Sequence, residues 1–178
     1  LEPFLEGARS AADIAVLSSD AVNGTEGAAT HGSNPSDDGA VRMLLELQLM
    51  FDVIDTEADF SAYQLLVLPD DIHLDEALTG KLTRFVDGGG SLILSGASGM
   101  THDEARFALP LSVQYDGTRR DAWPDYVAPD GGFAADVPRS PVVVYERPYF
   151  VKPQGNATVL GRAHDPYFDR SWEHFCSH

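Results

Sequence analysis

The chain has one cysteine, Cys176, in 178 residues. No internal disulfide can form, so the reasoning that infers an oxidising compartment from paired cysteines has nothing to act on. Basic residues are scarce as well: 12 Lys and Arg stand against 28 Asp and Glu, a net charge of −16. Neutralising a phosphate backbone requires a basic footprint, so no nucleic acid is expected as a partner. The same charge disfavours docking on an anionic bilayer. No apolar run approaches the roughly 20 residues that cross a membrane, so a soluble protein with no membrane partner is expected. The triplet Gly88-Gly89-Gly90 precedes a strand pattern and does not open a helix, so it is neither a dinucleotide fingerprint nor a P-loop, and no cofactor is expected. The chain starts Leu1-Glu2-Pro3-Phe4, without an initiator methionine or a charged-then-apolar leader. It reads as a segment of a longer protein, with a cytoplasmic location as the expectation.

What the chain does have is apolar material for a core, at 43% hydrophobic residues, and a periodicity that sorts it into elements. The densest signal runs from Tyr63 to Met100. Leu65 to Leu68 and Leu92 to Leu94 are unbroken apolar runs bounded by Pro69 and the glycine triplet, as strands buried on both faces of a parallel sheet are. Between them Leu74, Ala77, Leu78, Leu82, Phe85 and Val86 recur at helical spacing, and Gly88 to Gly90 supplies a left-handed cap. Upstream, Asp13 to Ser19 predicts a first strand. Asn23 to Asp38 is a Gly, Ser, Thr and Asn-rich loop. Asp37 or Asp38 then caps a helix carrying Val41, Leu44, Leu45, Leu47, Gln48 and Phe51, and Asp52 to Asp55 forms a short strand.

Beyond Gly99 the pattern loosens. Asp103 to Phe107 suits a turn or two of helix, Leu109 to Tyr115 a strand, and Gly117 to Pro138 irregular structure pinned by Trp123, Tyr126 and Phe133. Val142 to Glu146 and Ala157 to Ala163 alternate as strands, with Gln154-Gly155-Asn156 between them as a hairpin turn would be. The fold expected is α/β, a flavodoxin-like, doubly wound, mostly parallel sheet with antiparallel edge strands in the C-terminal third. Residues 1–12 read as a linker from an upstream domain, 13–163 as the α/β domain and 164–178 as a C-terminal extension.

The Ile-Ala-Val-Leu strand at 14–17, Tyr63-Gln64-Leu65-Leu66-Val67-Leu68-Pro69-Asp70, the helix ending Phe85-Val86-Asp87-Gly88-Gly89-Gly90, and Ser91-Leu92-Ile93-Leu94-Ser95-Gly96 together resemble the trimerisation domain of the family 42 beta-galactosidases. That domain is part of the class I glutamine-amidotransferase-like group. The tail from Asp165 to His178, with Tyr167, Phe168 and Trp172, resembles a segment of bacterial glycosyl hydrolases in which this domain follows a catalytic barrel. The resemblance implies a non-catalytic accessory domain downstream of a sugar-cleaving barrel. It would contribute oligomer contacts and shape the rim of the barrel's active site, with the barrel and further copies of the chain as partners.

Strand ends at the carboxyl edge are where α/β sheets place ligands, so Asp70, Asp71, Ser95, Ser98 and His102 are the candidate ligand or interface rim. Amidotransferases carry a nucleophilic cysteine on the turn that here reads Gly96-Ala97-Ser98-Gly99, and no cysteine stands there. Ser98 as a substitute nucleophile would make the chain a serine-type hydrolase or a degenerate amidotransferase. It would need a histidine and a carboxylate, and its turn lacks the last glycine of a Gly-x-Ser-x-Gly elbow. The simpler reading is a tight strand-to-helix turn. A small-ligand or carbohydrate-binding module using a pocket between Asp70 and Ser95 is a further alternative. Asp70-Asp71 as neighbours in a turn do not face each other as a glycosidase pair must, and either could cap the next helix. His174-x-Cys176-x-His178, with His164, has the residue types of a zinc site but only one clear segment of ligands, so no metal is expected.

Overall fold

The computed structural model describes residues 7–24, 34–118, 124–130, 138, 140–145 and 149–166. The chain divides into two compact units at Leu109/Pro110. The first is built on a four-stranded sheet of β1 (Ile14–Leu17), β2 (Phe51–Ile54), β3 (Leu65–Leu68) and β4 (Ser91–Leu94) in the order β2-β1-β3-β4. All three pairings are parallel, with Ile14 opposite both Phe51 and Leu65, and Leu65 opposite Ser91. A short helix α1 (Ser19–Asn23) leaves β1. Helix α2 (Pro35–Glu46) leads to β2, and helix α3 (Glu76–Asp87) joins β3 to β4.

Because β2 and β4 lie at opposite ends of the sheet, right-handed crossovers put α2 on one face and α3 on the other. Side-chain alternation agrees. Val16 and Val67 pack with Ala40 and Leu44 of α2, flanked by Ile14, Phe51 and Leu65. Ala15, Leu17, Leu66 and Leu68 point the opposite way and are buried, as are Leu78, Leu82 and Phe85 of α3. Each such aliphatic side chain removed from water stabilises the unit by about 1.5–3 kcal/mol. The α/β class and the central strand-helix-strand unit thus stand as expected.

The caps show where local chemistry sets the boundaries. Helix α3 ends in a Schellman motif: Gly90 N–H donates to Phe85 O (3.0 Å) and Gly89 N–H to Val86 O (2.9 Å), with Gly89 at φ +98°. Its N-cap is Asp75, which accepts from Leu78 N–H at 2.7 Å, and not Asp70 or Asp71. Helix α2 is capped by Asn34 followed by Pro35, not by Asp37 or Asp38. Asp37 instead reaches back to the end of β1, accepting from Ser19 N–H, from Ser18 Oγ at 3.0 Å and from Ser19 Oγ at 2.6 Å. The helix also stops earlier than the apolar spacing suggests. Leu47 is its C-cap and Gln48 turns left-handed at φ +57°, so Phe51 opens β2 and is not on the helix.

Between β2 and β3 a single 3-10 turn (Phe60–Ala62) is capped by Asp59, whose carboxyl is held below the usual carboxylate range by hydrogen bonds from Ser61. Tyr63 follows it. Burial and its hydrogen bond to Asp52 (3.0 Å) raise the phenol above its ordinary value.

Asp103 to Phe107 is not helical. Thr101 N–H donates to Arg106 O, and Met100 bridges Phe107, closing a small loop. In the second unit, β5 (Val113–Thr118) pairs antiparallel with β8 (Tyr149–Pro153), and β6 (Asp125–Pro129) lies between β7 (Val142–Val144) and β9 (Gly161–His164). The antiparallel strands are therefore present, but as two sheets of their own and not as edges of the parallel one. The hairpin expected between 142–146 and 157–163 does not form; both segments pair with β6, across Val127. That strand falls inside the stretch read as irregular, because Pro124, Asp125 and Pro129 at its ends carry loop chemistry. Tyr126 sits on it, whereas Trp123 and Phe133 lie outside the described residues.

Candidate functional site: the carboxyl edge of the parallel sheet

The loops that leave β3 and β4 are zipped to each other. Ala97 N–H donates to Asp70 O (2.7 Å), Gly99 N–H to Ile72 O (3.0 Å) and Leu74 N–H to Met100 O (2.8 Å). Two serines complete the zip. Ser95 Oγ accepts from Asp70 N–H at 3.2 Å. Ser98, 1% exposed, accepts from Ile72 N–H at 3.0 Å and donates to Pro69 O at 2.8 Å. Glycine is needed at Gly96, where φ is +54° and a Cβ would come within 2.9 Å of the Asp70 backbone. The loops carrying Asp70 and Ser95 are thus joined into a double loop by backbone and serine hydrogen bonds.

Within that double loop Ser98 is buried, and among the described residues no histidine is bonded to its hydroxyl. Its hydroxyl proton is held by a carbonyl and one lone pair by an amide, whereas a nucleophilic serine gives that proton to a base. The serine-hydrolase alternative loses its nucleophile on this geometry. Asp71 is exposed, and its carbonyl accepts from Asn23 Nδ2 at 3.1 Å. His102 is the member of the expected rim that faces an open space. Its ring stacks on that of His73, with centroids 5.9 Å apart and planes 20° apart, and His73 Nε2 lies 3.1 Å from Glu104 Oε1. Beside it, the Asp103 carboxyl is held below its usual range by Thr101 Oγ1 and Ala105 N–H.

The open space is a pocket of about 330 Å³ on the same edge, displaced toward the ends of β1 and β2. Ala21 and Val22 of α1, Glu57 after β2, His73 after β3, the first turns of α3 and His102 line it. It lies near the point where the strand order reverses between β1 and β3, the position at which open α/β sheets bind ligands. Lys81 also lines it, but its ammonium donates to Thr56 O and Ala58 O at 2.5 and 2.6 Å and rests 4.1 Å from the Phe60 ring centroid. His73 and Glu57 carry no motif. The topological rule would have pointed to them had the turn after β2 been weighed with those after β1 and β3.

A second feature is apolar. Met43, Leu47 and Met50 are 61%, 66% and 67% exposed, and Leu45, Leu49 and Val53 are exposed beside them. These residues run from the last turns of α2 through the connection into the edge strand β2. Among the described residues no three His, Cys, Asp or Glu side chains gather as metal ligands, and no helix is long and apolar enough to cross a membrane. Residues 174–178, with the His/Cys pattern, lie outside the described residues.

The class defined by this architecture is an α/β domain with a parallel β2-β1-β3-β4 sheet and an edge from which the elbow nucleophile is missing. Residues 41–112 match the family model of the beta-galactosidase trimerisation domain, so the resemblance carried by the strands and the glycine turn is borne out. Among solved structures, the alpha-L-fucosidase isoenzyme 2 from Paenibacillus thiaminolyticus is 35% identical with a TM-score of 0.86, over 99% of this chain and 26% of that one. Gan42B, a family 42 beta-galactosidase from G. stearothermophilus, is 21% identical with a TM-score of 0.67, over 92% of this chain and 25% of its own. The beta-galactosidase from Rahnella sp. R3 is 18% identical with a TM-score of 0.66, over 92% of this chain and 26% of that one. The last two likenesses are of fold. The chain thus spans about a quarter of the length of these enzymes. No curated protein matches it.

Proposed function

We propose that the chain is a non-catalytic accessory domain of a glycoside hydrolase, joined through residues 1–12 to an upstream catalytic barrel whose rim it shapes, and that it holds copies of the enzyme together. The cytoplasmic location expected from the sequence goes with this reading. The observation that carries it is the apolar surface of α2 and β2. Six large hydrophobic side chains within eleven consecutive residues, 43 to 53, are exposed, and the patch lies inside the stretch that matches the trimerisation domain. Contiguous exposed apolar surface of that kind marks an interaction site. The closed double loop around Ser98 supports the non-catalytic part.

Sedimentation of the 178-residue chain tests it. The wild type is expected to associate, and Met43→Lys/Leu47→Lys/Met50→Lys to sediment as a monomer with an unchanged far-UV circular dichroism spectrum. Lysine is the informative choice because each one moves the net charge of −16 toward zero, so a loss of association does not come from greater overall repulsion between copies. A wild type that stays monomeric at all concentrations, or a variant that associates as the wild type does, would sink the reading.

A further inference from the structure

The pocket at the ends of β1, β2 and β3 is lined by none of the α2/β2 residues just described, and its lining discriminates among ligands. We propose that it binds a neutral monosaccharide. Its volume of about 330 Å³ is at the small end of ligand sites, the size of one sugar ring and not of a dinucleotide. Among the described residues the lining offers an anionic ligand no free Lys or Arg. The lining contributes the carboxylates of Glu57 and Asp75 against a single ammonium, Lys81. That ammonium is spent on two carbonyls and an aromatic face. A phosphate or carboxylate would therefore lose its hydration without gaining a lysine or arginine partner.

Metal cations fare no better. Asp75 is committed to Leu78 N–H as the cap of α3, and the two imidazoles stack in near-parallel planes with His73 turned to Glu104. Stacked rings do not converge their nitrogens on one ion.

What remains suits a polyol. Among the described residues the Glu57 carboxylate and the His102 ring nitrogens have no hydrogen-bond partner, so acceptors and a donor stand ready for hydroxyl groups. Ala21, Val22, Ala77 and Leu78 are the apolar part of the lining. A pyranose presents the same mixture, hydroxyls at its rim and a face of C–H groups. The site includes neither Asp70 nor Ser95 nor any residue of the α2/β2 surface.

The experiment is a titration of the 178-residue chain with D-galactose, L-fucose and D-glucose, followed by NMR of the histidine rings. His73→Gln and His102→Ala assign the two signals, and galactose 6-phosphate serves as the anionic counterpart. At least one neutral sugar is expected to shift both signals saturably, with a dissociation constant of about millimolar order. His102→Ala should weaken it about tenfold through the lost hydrogen bond. Ala77→Trp, a change at an exposed helix position that fills the pocket, should abolish it with an unchanged circular dichroism spectrum. Absence of a saturable shift with all three sugars, tighter binding of galactose 6-phosphate than of galactose, or binding that survives Ala77→Trp would each overturn the proposal. Because the lysine variants of the α2/β2 surface leave the pocket intact, they should bind the sugar as the wild type does.

Discussion

Ser98 shows how one side chain can look catalytic in sequence and be structural in place. It stands on a small-residue turn after a buried strand, as elbow nucleophiles do, yet its hydroxyl joins Ile72 N–H to Pro69 O and so ties the β3 loop to the β4 loop. Ser98→Ala would leave a buried amide and a buried carbonyl each short of a partner. We expect a loss of about 2 kcal/mol of stability, seen as a lower urea midpoint with an unchanged slope, and no change in association. Asp37 is a comparable case. Its position in the first turn of α2 suits a carboxylate by dipole, but its oxygens are taken by Ser18 and Ser19, eighteen residues earlier and across a loop. Partners that distant leave no trace in local spacing. The same holds for His73, which meets His102 and Glu104 only because two loops are zipped together.

At the level of elements, the helix that joins β3 to β4 was legible almost in full. Its apolar period and its glycine triplet act within a few residues and agree with the tertiary outcome, whereas the cap is Asp75 and not Asp70 or Asp71. Gly90 shows how tight the joint is: a Cβ there would lie 2.3 Å from the Phe85 ring. Since φ at Gly90 is not left-handed, the demand is one of space. Gly90→Ala should cost about 1–3 kcal/mol by overpacking, with Gly39→Ala, at a helix position with nothing within 4 Å, as the control that leaves the thermal midpoint unlowered. Helix α2 was less legible, because Leu45, Leu47 and Phe51 continue an apolar spacing past the point where Gln48 ends the helix. Their hydrophobicity serves a surface and the next strand, and periodicity cannot tell that from a longer buried stripe. In the C-terminal unit, short strands flanked by Pro, Asp and Gly offered little contrast between strand and loop, and which strand pairs with which is a non-local matter.

On the scale of the whole molecule, the net charge of −16 opposes the association that the apolar α2/β2 surface drives. Copies of the chain repel one another through water at low ionic strength, and salt screens that repulsion while leaving apolar burial in place. Raising sodium chloride from about 0.05 M to about 0.5 M should therefore strengthen self-association, read as a shift to higher sedimentation coefficients at fixed protein concentration. Weakening with salt would instead indicate an interface built on ion pairs. The same acidity that excluded a nucleic-acid partner on composition thus becomes a measurable term in assembly.

Composition and short-range pattern determined the α/β class, the parallel core of β3 and β4 with its helix, and the absence of a cysteine from the elbow, because each depends on residues adjacent in the chain or on totals over it. Tertiary structure decided which turns meet at the carboxyl edge. It tied the loops of Asp70 and Ser95 to each other with backbone hydrogen bonds, set His73 and His102 against a pocket one strand over, and left Met43, Leu47 and Met50 on the outside. Those outcomes turn on contacts between segments tens of residues apart, whose geometry is set by the order of strands in the sheet and not by any local spacing.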